Sequence, residues 1–271
     1  MLTREEFIEK LSARPLILDG ATGSNLQKAG MPKGCCTEEW VLNHPQPLMD
    51  LQRRYAEAGS DIIYAPTFQA QPIALEKVGL ADKCEEVNAK LVALSREAAP
   101  GCLIAGDLTT LATLCDSWDE GNFDLLVGET LLYPQEAEAI LTAAELEGAS
   151  CSMYSFTMQP DGSLFSGRDA GPVLRDLEEA GAAAVGFNCV AADMMTPYLI
   201  SKLRRYVKGA LICKPNAGVP VIGTDGIPHY PQSPEEFASI VMDCRKNGAN
   251  VLGGCCGTAP EFIAAVKNTL K

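Results

Sequence analysis

Residues 182–213, AAAVGFNCVAADMMTPYLISKLRRYVKGALIC, contain the repeating unit from which the fold can be predicted. A short apolar run, Ala182–Phe187, is followed by an amphipathic stretch, Thr196–Val207, and then by a second apolar run, Ala210–Cys213. Short and almost uninterrupted apolar runs are typical of parallel strands, which are covered on both faces of the sheet. The segment therefore predicts a strand–helix–strand unit with two parallel strands.

The same alternation extends in both directions along the chain. Apolar runs predict strands at Pro15–Leu18, Asp61–Ala65, Cys102–Ala105, Asp124–Val127, Cys151–Phe156, Ala182–Phe187, Ala210–Cys213 and Asn250–Leu252. Amphipathic patterns predict helices that include Leu48–Ala58, Cys84–Glu97, Pro134–Glu147, Gly171–Ala180, Thr196–Val207, Pro234–Asn247 and Pro260–Leu270. A capping-box pattern at Thr3–Glu6 predicts a further helix near the N-terminus.

Repeated β–α units of this kind predict an α/β protein, a (β/α)8 TIM barrel formed by a single domain over residues 1–271. A doubly wound open sheet is the alternative, but no G-x-G-x-x-G motif follows the first apolar run. The third unit is irregular, because only Leu108–Phe123 separates the third run from the fourth. We therefore expect a shortened third β–α unit with about one or two helical turns.

The composition excludes several classes of partner. A net charge of −13 and a pI of about 4.6 disfavour binding to nucleic acid or to anionic membranes. The N-terminal segment MLTREEFIEKLSARP has no apolar core of a signal peptide, and no apolar stretch reaches the roughly 18 residues of a membrane span. These features predict a cytoplasmic protein. The odd number of cysteines, 11, then argues against a disulfide framework.

The most specific candidate site is Gly253–Thr258, GGCCGT, directly after the last predicted strand. Active sites of barrel enzymes lie at this end of the strands, and the glycines let the backbone turn so that two adjacent sulfurs face one point. Thiolates from Cys189, Cys255 and Cys256, with an open fourth position, predict catalytic zinc. The alternatives are incidental small residues, or a structural metal site with a fourth ligand. Cys35–Cys36 lacks the glycine frame and is not expected to bind metal.

Three thiolates suit a zinc ion that activates a substrate thiol. A zinc-bound thiol loses its proton near neutral pH, and three anionic sulfurs over-neutralise the divalent ion. A fourth thiolate therefore keeps much of its electron density and can attack an electrophilic carbon. Hydrolytic zinc favours histidine ligands and a bound water, but His44 and His229 do not form an H-E-x-x-H motif.

Seven segments resemble the homocysteine S-methyltransferase family, which includes the homocysteine-binding domain of cobalamin-dependent methionine synthase and betaine–homocysteine methyltransferase. They are LILDGATGSNL, AGSDIIYAPTF, GET at Gly128–Thr130, SFTM at Ser155–Met158, VGFNC, KPNAG and GGCCGT, and they extend from residue 16 to residue 258. The resemblance implies a (β/α)8 barrel that binds Zn²⁺ through Cys189, Cys255 and Cys256. It also implies methyl transfer to zinc-bound homocysteine, which gives methionine.

The resemblance further implies a set of substrate contacts: Asp19, Ala21, Thr22, Gly23, Glu129 and Asn188. The two carboxylates would bind the substrate ammonium group, and the glycine-rich turn would bind the substrate carboxylate through its backbone amides. The asparagine would orient the site. Asn216 and Tyr230 are weaker candidates, expected to be structural hydrogen-bonding residues. No catalytic side chain is implied beyond the zinc-activated substrate thiol.

Two departures from the family pattern leave the methyl donor open. The segment Leu108–Phe123 is shorter than the usual third unit, and Pro66-Thr67-Phe68 replaces the common Asn-Thr-Phe. Both lie near the rim where a donor must approach. Candidate donors are S-methylmethionine, S-adenosylmethionine, betaine, or a methyl-corrinoid on a separate protein. The alternative to an enzyme is a non-catalytic subunit that binds homocysteine and zinc and acts with such a corrinoid protein.

Overall fold

The computed structural model describes residues 1–109, 123–224 and 228–270, and its centre is a ring of parallel strands. The strands of the ring are β1 (Leu16–Ile17), β2 (Ile62–Tyr64), β3 (Leu103–Leu108), β4 (Leu125–Leu131), β5 (Ser152–Phe156), β6 (Ala184–Ala191), β7 (Ala210–Asn216) and β10 (Val251–Leu252). They pair in the order β1-β10-β7-β6-β5-β4-β3-β2, and a parallel bridge between Leu18 and Ile62 joins the two ends. Each strand overlaps a predicted apolar run, so the predicted (β/α)8 barrel is confirmed.

The ring is accompanied by helices, most of which cover its outer side. They are α1 (Arg4–Ala13), α2 (Gly23–Lys28), α3 (Thr37–Asn43), α4 (Pro45–Ala58), α5 (Pro72–Leu75), α6 (Cys84–Ala98), α7 (Pro134–Leu146), α8 (Ala170–Glu179), α9 (Thr196–Arg204), α10 (Pro234–Lys246) and α11 (Pro260–Thr269). The predicted capping box at Thr3 and Glu6 begins α1. Among the described residues, no helix is both long enough and apolar enough to cross a membrane.

The elements that the sequence did not predict lie in loops at the C-terminal end of the barrel. The short helices α2, α3 and α5 follow β1 and β2, and a two-stranded hairpin, β8 (Val221–Ile222) and β9 (Pro228–His229), follows β7. The predicted shortening of the third unit at Leu108–Phe123 concerns residues 110–122, which lie outside the described residues.

The inner face of the barrel changes from apolar to polar along the strands. Its lower part is filled by apolar side chains, among them Leu16, Leu18, Ile62, Ala105, Leu125, Val127, Met153, Ala184, Ala210, Ile212 and Val251. Further toward the C-terminal ends of the strands, at even spacing from these apolar residues, lie the buried residues of a polar layer: Tyr64, Asp107, Glu129, Ser155, Asn188 and Lys214. Because every second side chain of a strand faces the same side, this polar layer also faces the barrel interior.

Two aspartate side chains complete the junction between β1 and β2. The Asp61 carboxylate accepts a hydrogen bond from the Ile17 amide at 2.9 Å, and the Asp19 carboxylate accepts one from the Tyr64 amide at 2.8 Å. The Arg14 guanidinium binds both oxygens of Asp61 at 2.6 and 2.5 Å. At these two points of the junction a carboxylate takes the place of a backbone carbonyl as acceptor.

Candidate metal centre

Three cysteine side chains meet at the C-terminal end of the barrel. Cys189 lies in β6, and Cys255 and Cys256 follow β10. The sulfur of Cys189 is 2.7 Å from that of Cys255 and 3.8 Å from that of Cys256, and all three sulfurs lie within 4.8 Å of one another. All three are free thiols. The structure thus brings together the three cysteines that the sequence singled out.

The backbone conformation of Cys189 aims its side chain at the other two. Its φ is 54°, in the left-handed region that residues other than glycine rarely adopt. The register between β6 and β7 shifts between Asn188 and Ala191. An irregularity of this kind bends a strand and redirects a side chain, which here turns Cys189 toward the loop after β10.

The glycines around Cys255 and Cys256 are required by close contacts. A Cβ atom on Gly254 would lie 2.5 Å from Oγ1 of Thr258. Gly257 has a φ of +83°, and a Cβ atom there would overlap the Tyr230 ring. The glycine frame therefore lets the loop fold tightly enough to present two adjacent sulfurs on one side.

Hydrogen bonds among the three sulfurs favour the ionised form of Cys256 and raise the pKa of Cys189. Hydrogen bonds to the Cys256 sulfur from Cys189 and then from Cys255 hold the pKa of the Cys256 thiol far below its ordinary value, and a hydrogen bond from Tyr230 adds to this effect. A thiolate is the form of cysteine that binds metal. Within the described ranges, the group of candidate metal ligands consists of these three residues alone. The arrangement can hold a metal ion and leave one position open.

A pocket of about 460 Å³ opens beside the three sulfurs. Its lining includes all three cysteines, the loop after β1 and much of the polar layer: Asp19, Gly20, Ala21, Thr22, Gly23, Tyr64, Asp107, Glu129, Lys214, Cys189, Cys255 and Cys256. The predicted carboxylates at Asp19 and Glu129 and the predicted turn at Ala21–Gly23 therefore border the same space as the thiols.

The two oxygens of Asp19 have different surroundings. Oδ2 accepts the hydrogen bond from the Tyr64 amide, whereas Oδ1 is buried without a hydrogen-bond partner among the described residues. Burial raises the pKa of Asp19 to about 7, although Lys214 acts in the opposite direction. An unpaired buried acceptor at the edge of a pocket is suited to a donor on a bound molecule.

Glu129 forms a buried ion pair that the sequence did not reveal. Its Oε1 lies 2.7 Å from Nζ of Lys214, and 10% and 4% of the two side chains are exposed. Burial raises the pKa of Glu129, and Lys214 opposes this shift. Burial alone would lower the pKa of Lys214, but Glu129 and further anionic groups outweigh it, so the pKa of Lys214 is raised.

Two asparagines fix the backbone around the thiols. The Asn188 side chain accepts a hydrogen bond from the Thr130 amide at 3.0 Å and donates one to the Thr130 hydroxyl at 2.6 Å. Its amide nitrogen also lies 3.8 Å from the sulfur of Cys255. Asn216 donates a hydrogen bond to the carbonyl of Cys189 at 3.2 Å. Thr130, like Cys189, has a positive φ, 58°, which these contacts support.

The loop after β1 is tied to the cysteine loop by a hydrogen-bond network. The Ala21 amide donates to the Thr258 hydroxyl at 3.2 Å, so this amide is already used. Asn25 donates to the carbonyls of Ala21 and Thr258 at 2.7 and 2.8 Å, and the Tyr55 hydroxyl donates to the Ala21 carbonyl at 2.9 Å. In the predicted turn, the amides of Thr22 and Gly23 donate none of the described hydrogen bonds, so they are available to a ligand.

The second adjacent pair of cysteines lies apart from the metal-ligand group. The sulfur of Cys35 donates to the Pro32 carbonyl at 3.0 Å, and the sulfur of Cys36 donates to Oε2 of Glu38 at 3.4 Å. Glu38 is one of the residues that line the pocket.

Sequence reasoning missed Lys214, Tyr64 and Asp107, although each lies at or near the end of a predicted apolar run. Their shared signal is a polar residue two positions beyond an inward-facing apolar one. In the strand β7, for example, Lys214 follows Ile212 at this spacing and so faces the barrel interior.

Comparison with known proteins places these features in a family. The sequence profile described as homocysteine S-methyltransferase matches residues 16–120 and 112–270. The methionine synthase of Mycobacterium leprae is 26% identical over 301 residues, which cover 96% of this chain and 25% of that protein. The S-methylmethionine–homocysteine S-methyltransferase BHMT2 of Pongo abelii is 28% identical over 301 residues, which cover 97% of this chain and 80% of that protein. The chain thus spans about a quarter of the length of the mycobacterial relative.

A solved structure has the same fold. The metallated form of the homocysteine methyltransferase MmuM from Escherichia coli matches with a TM-score of 0.80 and 22% sequence identity, over 97% of this chain and 99% of that chain. The profile match extends from the first barrel strand to the last helix, so the chain belongs to the homocysteine S-methyltransferase family.

Proposed function

We propose that this protein is a zinc-dependent S-methyltransferase that transfers a methyl group to the thiolate of homocysteine and so forms methionine. One observation carries the proposal: three cysteine sulfurs lie within 4.8 Å of one another beside an acidic pocket. Three sulfurs leave a tetrahedral metal ion with one open position for a substrate thiol. The buried carboxylates beside them suit the ammonium group of an amino acid.

The donor set fits zinc. Zinc binds thiolate sulfur at about 2.3 Å in a tetrahedral arrangement, which places two ligand sulfurs roughly 3.8 Å apart. The sulfurs of Cys189 and Cys256 have this separation, 3.8 Å, whereas those of Cys189 and Cys255, at 2.7 Å, must move apart. Charge repulsion favours this movement once both are thiolates. Bound zinc would supply the positive charge that keeps a substrate thiol deprotonated and nucleophilic.

The pocket residues bind and orient the rest of homocysteine in this proposal. The unpaired oxygen of Asp19 and the carboxylate of Glu129 accept hydrogen bonds from the ammonium group. The amides of Thr22 and Gly23 donate to the substrate carboxylate, since the Ala21 amide already has an acceptor. Asn188 keeps the ligand loop in place through its contact with the Cys255 sulfur. Fixing both charged ends of the substrate aims its sulfur at the incoming methyl group.

The acidic lining favours a cationic methyl donor. Carboxyl groups of Asp19, Glu38, Asp107 and Glu129 line the pocket, and Lys214 is the cationic side chain in the same lining. A negative potential attracts sulfonium or quaternary ammonium compounds, such as S-methylmethionine, S-adenosylmethionine and betaine. A methyl-corrinoid on a separate protein is the remaining candidate donor.

The test is methionine formation by the zinc-loaded protein from homocysteine and each donor in turn. The Cys256→Ser variant is expected to fold, to lose zinc and to lose activity. The matched control is Cys35→Ser, which removes a thiol outside the metal-ligand group and is expected to keep all three properties. If the zinc-loaded protein binds homocysteine but none of the donors supports its methylation, the protein is the non-catalytic binding subunit instead. If the protein binds neither zinc nor homocysteine, both hypotheses are wrong.

A further inference from the structure

Lys214 is a buried cation in the polar layer, and more carboxyl groups lie around it than it can pair with. Its Nζ contacts Oε1 of Glu129 at 2.7 Å and lies 4.8 Å from the centroid of the Tyr64 ring. Asp19 and Asp107 line the same pocket, so three buried carboxyl groups share one lysine. A lysine is rarely buried to this extent unless it is paired, and the pairing here is with a residue of the pocket itself.

The polar layer also contains unused acceptors. Oδ1 of Asp19 and Oδ1 of Asp107 are buried without a hydrogen-bond partner in the part of the chain that the structure describes. The contact from Lys214 is with one oxygen of Glu129, Oε1, and does not involve the other. Because buried unpaired carboxylate oxygens are costly, these atoms indicate a place for a second cation beside the lysine.

We propose that Lys214 is a positioning residue, a resident counter-ion that binds one oxygen of Glu129. The other oxygen of Glu129 and the free oxygen of Asp19 then remain for the ammonium group of the substrate. This inference rests on the proposed function, because it takes the substrate to be an amino-acid thiol. Without a resident cation, the carboxyl group of Glu129 would bind a proton in the empty pocket. A protonated carboxyl group pairs poorly with ammonium, so Lys214 keeps the ammonium subsite charged before the substrate arrives.

The test compares two thiols on zinc-loaded protein by titration calorimetry: homocysteine, and 4-mercaptobutanoate, which is the same thiol acid without the ammonium group. Lys214→Met is expected to weaken homocysteine binding on the order of 10-fold or more and to leave 4-mercaptobutanoate within about 3-fold. The variant should also release more protons on binding homocysteine than the wild type, because Glu129 must first lose its proton. The KM for homocysteine should rise while kcat changes little.

Lys202→Met is the matched control. It also removes a lysine–carboxylate pair, Lys202–Asp169 at 2.6 Å, but this pair lies on the surface. Both thiols should bind this variant as they bind the wild type. Equal affinity of Lys214→Met and wild type for homocysteine overturns the inference, and so does an equal loss for both thiols. A wild type that does not bind homocysteine at all contradicts the proposed function instead.

A measurement on the wild type decides the question if Lys214→Met does not fold. The buried Nζ of Lys214 should give a resolved ¹⁵N signal in lysine-labelled protein, assigned by its absence from Lys214→Arg. Homocysteine should shift this signal, because a second cation then shares Glu129, and 4-mercaptobutanoate should leave it in place. No shift with homocysteine overturns the inference.

Discussion

At the scale of single residues, Asp19 shows how one buried carboxyl group serves both the fold and the pocket. One of its oxygens closes the junction of β1 and β2 by accepting from the Tyr64 amide, and the other has no partner. Burial raises its pKa to about 7. The ordinary pKa of an aspartate is about 3.9, so the ionised form destabilises the empty protein.

Asp19→Asn should therefore stabilise the empty protein at pH 8 and weaken homocysteine binding. Because the pKa of Asp19 is higher in the folded state, about 7, its stabilising contribution is complete below the unfolded pKa and is lost as the pH rises through 7. The asparagine keeps an acceptor for the Tyr64 amide and does not ionise. Urea unfolding should show a gain of roughly 2–4 kcal/mol at pH 8 and a smaller gain at pH 5.

Asp243→Asn is the control for this comparison, since Asp243 forms a surface pair with Lys246 at 2.7 Å. The free energy of unfolding of Asp243→Asn should be almost the same as that of the wild type at both pH values. A stabilisation of Asp19→Asn that is the same at pH 5 and pH 8 would contradict the assignment to ionisation.

Candidate residues could be predicted where the sequence pattern had few explanations. Adjacent cysteines between glycines have few structural roles, so Cys255 and Cys256 could be singled out as candidate metal ligands before the fold was known. Lys214 could not, because a lysine after an apolar run usually marks the point where a strand reaches solvent. Only the closed barrel, which places Lys214 against Glu129 from another strand, gives it a buried partner.

At the scale of elements, the loop after β10 depends on its last glycine. Gly257→Ala should destabilise the protein and displace the neighbouring thiols, because φ is +83° and the new Cβ atom would overlap the Tyr230 ring. Gly30→Ala is the control for backbone strain alone, since Gly30 has a φ of +107° and no heavy atom within 4 Å of a Cβ atom. In urea unfolding, the free energy of unfolding should fall by about 1–2 kcal/mol for Gly30→Ala and by clearly more for Gly257→Ala. Equal losses would show that the Tyr230 contact is relieved without cost.

The longer helices were predictable and the short ones were not. Helices such as α7 and α10 have enough turns for a periodic apolar face, and their observed ends agree with the predicted ends within one residue. The helices α2, α3 and α5 have 6, 7 and 4 residues, too few to establish a period. They follow the first two strands, on the side where the pocket lies, so the wall of the site was the hardest part to predict.

At the scale of the whole molecule, the barrel core is separate from the candidate metal centre. The apolar lower part of the barrel interior and the apolar layer between strands and helices contain the large buried side chains, whereas the thiols lie at one end. A chelator should therefore remove bound zinc without unfolding the protein, unlike a structural zinc site. The circular dichroism spectrum should be unchanged, and the Tm should fall only by the amount that ligand binding adds. Loss of helical signal on chelation would instead indicate a structural metal site.

The number and order of β–α units were predictable because each unit is a local pattern. The contacts that close the ring were not, since β1 has two residues and its pairing with β2 relies on a bridge at Leu18 and on carboxylates. Whether a short strand closes a sheet depends on side chains that are distant in sequence, which periodicity does not describe.

The carboxylates at this junction make two backbone amides into reporters. The Tyr64 amide is protected from exchange with deuterium by Asp19, whereas the Ile17 amide is protected by Asp61, which is held by Arg14 outside the pocket. An ammonium group that binds Asp19 keeps it ionised and strengthens it as an acceptor, so homocysteine should slow exchange at Tyr64 and leave Ile17 unchanged. Binding in the pocket would therefore be measurable as less frequent local opening of the barrel at the junction between β1 and β2.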